Sequence, residues 1–178
     1  MTSDPNALRA SGSSSTNRYG SATVELPSDT AILITRSFDA PAALVFRTLT
    51  EPDLVKRWWG FETAQWQVCE IDLRIGGTWR YVVSQPCESA PDMEVGFHGE
   101  YREIDAPHRL VNTEVFEGMP DAAALTSTTL DEVDGVTTMR VLVEHSSKEH
   151  RDGHINSGME GGMQVSYNRI EDLLRDMG

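Results

Sequence analysis

Residues 157–177 read SGMEGGMQVSYNRIEDLLRDM, and this stretch decides the fold. At helical spacing Met159, Met163, Ser166, Ile170, Leu173 and Met177 share one face, while Glu160, Gln164, Asn168, Glu171, Asp172 and Arg175 are left toward water. The pattern predicts one long amphipathic helix. Ser157 with Glu160 three residues later predicts a capping box at its start. Gly158, Gly161 and Gly162 weaken the first two turns by about 1 kcal/mol each relative to Ala. Such residues suit a close backbone approach or a gate that yields.

Upstream the period changes from 3.6 to 2. Gln65–Arg74, Thr78–Ser84, Met93–Ile104, Leu110–Phe116, Leu125–Val133 and Val136–Ser146 each read as a strand. The pieces between them are rich in turn residues: Ile75-Gly76-Gly77, Pro86 to Pro91, Asp105-Ala106-Pro107, Glu117 to Asp121, and the hairpin signal Asp134-Gly135. Strands joined by turns this short pair antiparallel, because parallel pairing needs long crossovers. Earlier still, Ala31–Phe38 alternates as a first strand. Pro41 opens one short helix, and Thr50, Pro52 and Asp53 open a second. A further capping pair, Ser146 and Glu149, precedes the interruption at Gly153 and Asn156-Ser157. The fold class is α+β: a curved seven-stranded antiparallel sheet wrapped around a long C-terminal helix, with two short helices after the first strand. A helix about 10 Å thick fills only part of the groove of such a sheet, so a cavity is expected between them.

The chain has 178 residues, one domain's worth, expected over residues 29–178 after a disordered Ser-rich tail at 1–28. Its formal charge of −13 argues against nucleic acid and against an anionic membrane face. Two cysteines without zinc-site spacing, no apolar leader and no apolar run of about 18 residues favour a soluble, cytoplasmic protein without a membrane span.

Five ordered motifs carry a family resemblance. They are Phe38-Asp39-Ala40-Pro41 with Val45-Phe46; Thr50-Glu51-Pro52 leading to Arg57-Trp58-Trp59-Gly60; Asp72 to Arg80 around Gly76-Gly77; Gly99-Glu100-Tyr101 with Pro107-His108-Arg109-Leu110-Val111; and Ser157 to Gly162. Together they resemble the START-like (SRPBCC) superfamily, and within it the activator of Hsp90 ATPase homologue 1-like (AHSA1-like) proteins, over about residues 30 to 177. The resemblance implies the helix-grip (START/Bet v 1-like) fold and a hydrophobic ligand, lipids included, held between sheet and long helix. It also implies that some members are cyclases or hydroxylase domains, and it raises contact with an Hsp90-type chaperone.

The candidate residues follow from chemistry. Trp59, Trp66 and Trp79 offer large flat apolar faces, and Met159, Met163 and Tyr167 offer an adaptable wall from the helix; the same residues also fill ordinary cores. His98, Tyr101 and Glu114 are the acid–base candidates if they face the cavity. Asp72 and Arg74 are expected to hold the Gly76-Gly77 turn and pair with Arg80, although which face of their strand points inward stays open. His150 and His154 stand four apart without a third ligand, so no metal is expected. No phosphate loop, nucleophile elbow or dinucleotide fingerprint occurs, and no cofactor is expected. The first reading is a binder of a hydrophobic or amphipathic small molecule. The alternatives are a cyclase or aromatase-type enzyme and a chaperone-associated ATPase activator or interaction protein.

Overall fold

A computed structural model describes residues 22–85 and 93–178. In chain order the elements are β1 Thr23–Glu25, β2 Ala31–Phe38, α1 Ala42–Thr50, α2 Pro52–Trp58, β3 Gln65–Ile71, β4 Thr78–Gln85, β5 Met93–Asp105, β6 Arg109–Phe116, β7 Ala124–Val133, β8 Val136–His145, α3 Lys148–Asn156 and α4 Met159–Met177. The sheet runs β1-β2-β8-β7-β6-β5-β4-β3, every neighbouring pair antiparallel. The expected seven strands are all present, and β1 makes an eighth. It lies inside the stretch expected to be tail, because three residues suffice to pair Thr23–Glu25 with Leu33–Thr35 through the backbone. The expected tail at 1–21 and the expected turn at 86–91 fall outside the described residues.

Local chemistry explains most boundaries. Asp134 and Gly135 both adopt positive φ, 52° and 76°, as a two-residue hairpin turn between β7 and β8 requires. At the α1 start, Pro41 is the cap residue, and the free N–H of Ala42 donates to Glu132 Oε2 on β7 at 2.8 Å. A carboxylate at that pole also meets the helix dipole favourably.

The expected side-chain caps do not form at the expected residues. Thr50 Oγ1 donates to Phe46 O at 2.8 Å, leaving Glu51 as the α2 cap residue. Ser147, not Ser146, caps α3 by accepting from His150 N at 3.1 Å, and α3 runs through Gly153. Ser157 closes α3, donating to His154 O at 2.7 Å, so the Ser157–Glu160 box is absent. Gly158 caps α4 instead at φ 82°, a left-handed conformation that a side chain would strain.

Inward-facing residues of β2, β7 and β8, among them Ile32, Ile34, Phe38, Leu130, Met139 and Val143, form the core with Val45, Phe46 and Val55 of the two short helices. From α4, Tyr167, Ile170, Leu173 and Leu174 are buried, each apolar side chain stabilising the fold by about 1.5–3 kcal/mol. Met159 and Met163 pack half-buried against this core. α4 lies against α1 and α2, held by Arg169 Nη1 donating to Gly60 O at 2.9 Å. Asn168 and Glu171, expected in water, instead turn to the sheet, where both accept from Arg36. Among the described residues, no helix is long and apolar enough to cross a membrane.

Candidate functional site

A cavity of about 130 Å³ opens between the inner face of β4–β7 and the elbow formed by α1 and α2. Leu49, Trp58 and Trp59 close it from the elbow side; Trp79 and Tyr81 of β4, Tyr101 of β5, Leu110, Asn112 and Glu114 of β6, and Thr126 and Thr128 of β7 line it from the sheet. The register explains the grouping. Tyr101 pairs with Asn112 and Asn112 with Thr126, so these three form one row across the inner face, with Glu114 two residues further along β6.

The tryptophans are fixed by their indole N–H groups as well as by packing. Trp58 Nε1 donates to Thr48 O at 2.7 Å, Trp66 Nε1 to Lys56 O at 3.2 Å, and Trp79 Nε1 to Thr113 O at 3.2 Å. Trp79 can lie this way because Gly99 has no side chain: a Cβ there would come within 2.6 Å of the indole nitrogen and 1.8 Å of Thr113 O. Trp59 sits among rings, with centroids 5.3 Å from Tyr81, 5.5 Å from Trp66 and 5.6 Å from Phe97. Tyr81 in turn lies 4.8 Å from Trp79. Edge-to-face and tilted contacts at these distances favour aromatic packing beyond the area buried.

Glu114 is the chemically unusual member. It has no hydrogen bond or ion pair among the described residues, and burial alone pushes its carboxyl up to about 7. Thr126 Oγ1 is also buried without a hydrogen-bond partner. The phenols around them are held neutral. Burial, and then the charges of Tyr101, Cys69 and Glu114, push Tyr81 up; burial and then Cys69 push Tyr101 up. Tyr167, behind the cavity and edge-on to Phe38 at 6.3 Å, is raised by burial and then by Glu114, against a lowering from Arg36.

The expected site residues therefore divide. Trp59, Trp79, Tyr101 and Glu114 converge on the cavity. Trp66 packs behind Trp59 and Tyr81 without lining it, and Met159, Met163 and Tyr167 belong to the core around α4. His98 points to the other face, with Nδ1 3.3 Å from Glu117 Oε1, because it stands three positions, an odd offset, before the inward-facing Tyr101. Arg80 shares that outer face and pairs with Glu117 at 2.7 Å, not with Asp72 or Arg74.

In the Asp72–Gly77 turn, Arg74 Nε donates to Asp72 Oδ2 at 2.8 Å, Gly76 N to Tyr101 O at 2.8 Å, and Tyr101 N to Gly77 O at 2.9 Å. Strict alternation would put Trp66 on one face with Glu70, but a bulge at Gln67 turns Trp66 to the inner side with Cys69 and Ile71. Asn112, Thr126, Thr128 and Tyr81 were missed. Their only sequence signal is the alternation of β4, β6 and β7, which becomes useful once the inward face is known.

At the end of β8, in the row that runs from Glu114 through Ala124, His145 Nε2 and His154 Nδ1 lie 3.1 Å apart. Burial and then His154 depress His145 to about 4, and burial lowers His154. His150 turns instead to Ser146 Oγ at 2.9 Å. Among the described residues no three His, Cys, Asp or Glu side chains gather as metal ligands would.

A curved antiparallel sheet gripping a C-terminal helix, with a lined cavity beside it, defines a START-like helix-grip protein. The chain belongs to the family described as activator of Hsp90 ATPase homolog 1-like protein, whose family model matches residues 39–175. Solved structures of the same fold include a protein from Rhodobacter sphaeroides, 24% identical with a TM-score of 0.79, covering 87% of this chain and 99% of its own. One from Nitrosomonas europaea is 24% identical with a TM-score of 0.73, covering 85% and 98%. A solution structure from Staphylococcus epidermidis is 26% identical with a TM-score of 0.72, covering 88% and 95%. No curated protein matches the chain.

Proposed function

We propose that the protein binds a compact apolar or aromatic small molecule in the cavity beneath the α1–α2 elbow. The observation that supports this most directly is the wall itself. Trp58, Trp59, Trp79 and Tyr81 surround a space that also contains Thr126 Oγ1, buried without a hydrogen-bond partner, and the half-buried Glu114 carboxyl, for which the described residues supply no hydrogen bond or ion pair. An ordinary core would satisfy such groups or replace them with apolar ones. A ligand site uses a few of them to orient what it holds.

Size narrows the class. At about 130 Å³ the space suits a molecule built on about one ring, comparable to the cavities of about 150 Å³ that admit benzene, and is short of the roughly 300 Å³ at which drug-sized sites begin. A long acyl chain does not fit it. Organic extraction of protein purified without detergent, followed by mass spectrometry, tests the reading alongside a cavity-filled Thr128→Leu variant. A one-ring compound enriched in the wild type and absent from the variant is the expected result. Equal recovery from both would count against the cavity.

One observation favours a second reading, acid–base catalysis. A carboxyl raised to about 7 and facing a cavity beside the Tyr101 phenol can both take and give a proton near neutral pH. Turnover of a bound compound that survives Glu114→Gln at the wild-type rate would exclude that role.

A further inference from the structure

We propose that the cavity selects an organic cation, an ammonium group on a small apolar or aromatic body, over neutral and anionic molecules of the same shape. The inference rests on the binding reading above and names its ligand class.

Glu114 is the one lining residue with an acidic or basic side chain, and no Lys, Arg or His of the described residues pairs with it. Arg36, inside the same sheet, uses one nitrogen elsewhere, Nη2 donating to Glu171 Oε2 at 2.6 Å and Asn168 Oδ1 at 3.3 Å; its Nε and Nη1 are buried without a hydrogen-bond partner and make no bond to Glu114. A carboxylate in a low-dielectric pocket is costly without a counter-charge. The surrounding groups are suited to the missing partner. Trp79 lies across Gly99 with its N–H on the carbonyl of Thr113, the residue before Glu114, which brings an indole beside the base of that side chain. Tyr81 lies tilted against Trp79, ring centres 4.8 Å apart, and is near enough for Glu114's charge to raise its phenol. Ring faces attract cations through their quadrupole, and do so more strongly where water is excluded. They offer nothing comparable to an anion. The formal charge of −13 adds a long-range field of the same sign preference.

A ligand with a neutral carbonyl is the rival, since a protonated Glu114 would donate to it. The two differ in the direction of their pH dependence. A cation needs the carboxylate, so its affinity rises with pH by up to about tenfold per unit below pH 7 and then levels; a carbonyl ligand needs the protonated acid, so its affinity is level below pH 7 and falls by up to about tenfold per unit above it. The other groups facing Glu114 do not confuse this reading. Tyr81, Tyr101 and Tyr167 are all shifted upward and stay neutral, and Asn112, Thr126 and Thr128 do not titrate. Arg36 bonds to Glu171 and Asn168 and not to Glu114. His145, opposite Ala124 on the next strand, is coupled to His154 and is neutral above about pH 4.

The experiment is calorimetric titration of the full chain at pH 8 with benzylammonium, benzyl alcohol and benzoate, three probes of one shape and different charge. Benzylammonium should bind at least about tenfold more tightly than benzyl alcohol, and benzoate most weakly. Glu114→Gln should abolish the preference while keeping benzyl alcohol binding. The wild type titrated at pH 5.5 is the control that needs no variant: benzylammonium should lose at least about tenfold in affinity and benzyl alcohol should not change. Benzyl alcohol binding as well as benzylammonium at pH 8 would overturn the cation selectivity and leave the binding reading standing. Saturable binding of none of the three would overturn both.

Discussion

Two charged groups point inward from the same sheet, and the protein treats them oppositely. Arg36 on β2 is fully buried, yet Glu171 and Asn168 reach it from α4, and its guanidinium also lies 5.7 Å from the centre of the Phe38 ring. Glu114 on β6 is held by nothing comparable, and its carboxyl rises to about 7. The first is a charge neutralised to hold a helix on a sheet. The second is a charge left open toward a cavity. A fold that supplies a partner at one inward position and, among the described residues, none at another supports the proposal that the second meets something from outside.

The largest test removes the partner. Glu171→Ala leaves Arg36 buried with only Asn168 to accept from it, and should cost about 3–5 kcal/mol in urea denaturation. Replacing both charges, Arg36→Met with Glu171→Leu, should return stability to within about 1–2 kcal/mol of the wild type. A single variant no worse than the double would show that the pair is not what separates the two regions.

Next comes the open charge. Glu114 is raised from 4.5 to about 7, so the folded state holds a proton that the unfolded state has already lost between those values. Stability therefore falls as pH rises from 4.5 to 7, and the full cost, about 3 kcal/mol, is present above pH 7. Glu114→Gln should stabilise the protein by up to that amount at pH 8 and by nothing at pH 4.5. Equal effects at both pH values would mean that the carboxyl is not buried as an unpaired acid.

The histidine pair runs the other way and sharpens the contrast. His145 is depressed from 6.5 to about 4, so its unfolded state binds the extra proton, and stability falls as pH drops from 6.5 toward 4. With its partial exposure discounted, the loss should be about 2 kcal/mol, and His145→Gln should flatten it in thermal melts at pH 4 to 7. The smallest effect tests the start of the helix that carries Glu171. A Cβ at Gly161 or Gly162 would meet nothing within 4 Å, so Ala at either should stabilise by about 0.5–1 kcal/mol. Ligand affinity unchanged by both would discard the idea of a glycine gate.

Much of this molecule is legible in its residues because turn chemistry and side-chain period are local. The Asp134-Gly135 hairpin, the strands from Gln65 to His145 and the elbow after Phe38 all follow from neighbours a few positions apart. The misses have a common cause. Ser157 fits a capping box by spacing, but the chain uses it to end α3 and lets Gly158 start α4. Strict alternation puts Trp66 on one face with Glu70, until one extra residue, Gln67, moves it to the side of Cys69 and Ile71. His98 and Glu114 read as equal candidates, and only their opposite placement on the sheet separates them.

By itself, the sequence determined the order of elements, the antiparallel meander and the family, since each rests on propensities and motifs carried by contiguous residues. Tertiary structure alone decided which charges were matched. Arg36 and Glu171 are 135 positions apart and meet only when α4 docks, whereas no neighbour among the described residues brings Glu114 a cation. Whether a buried charge is satisfied depends on partners within a few ångströms in a low-dielectric interior, and packing alone sets those distances.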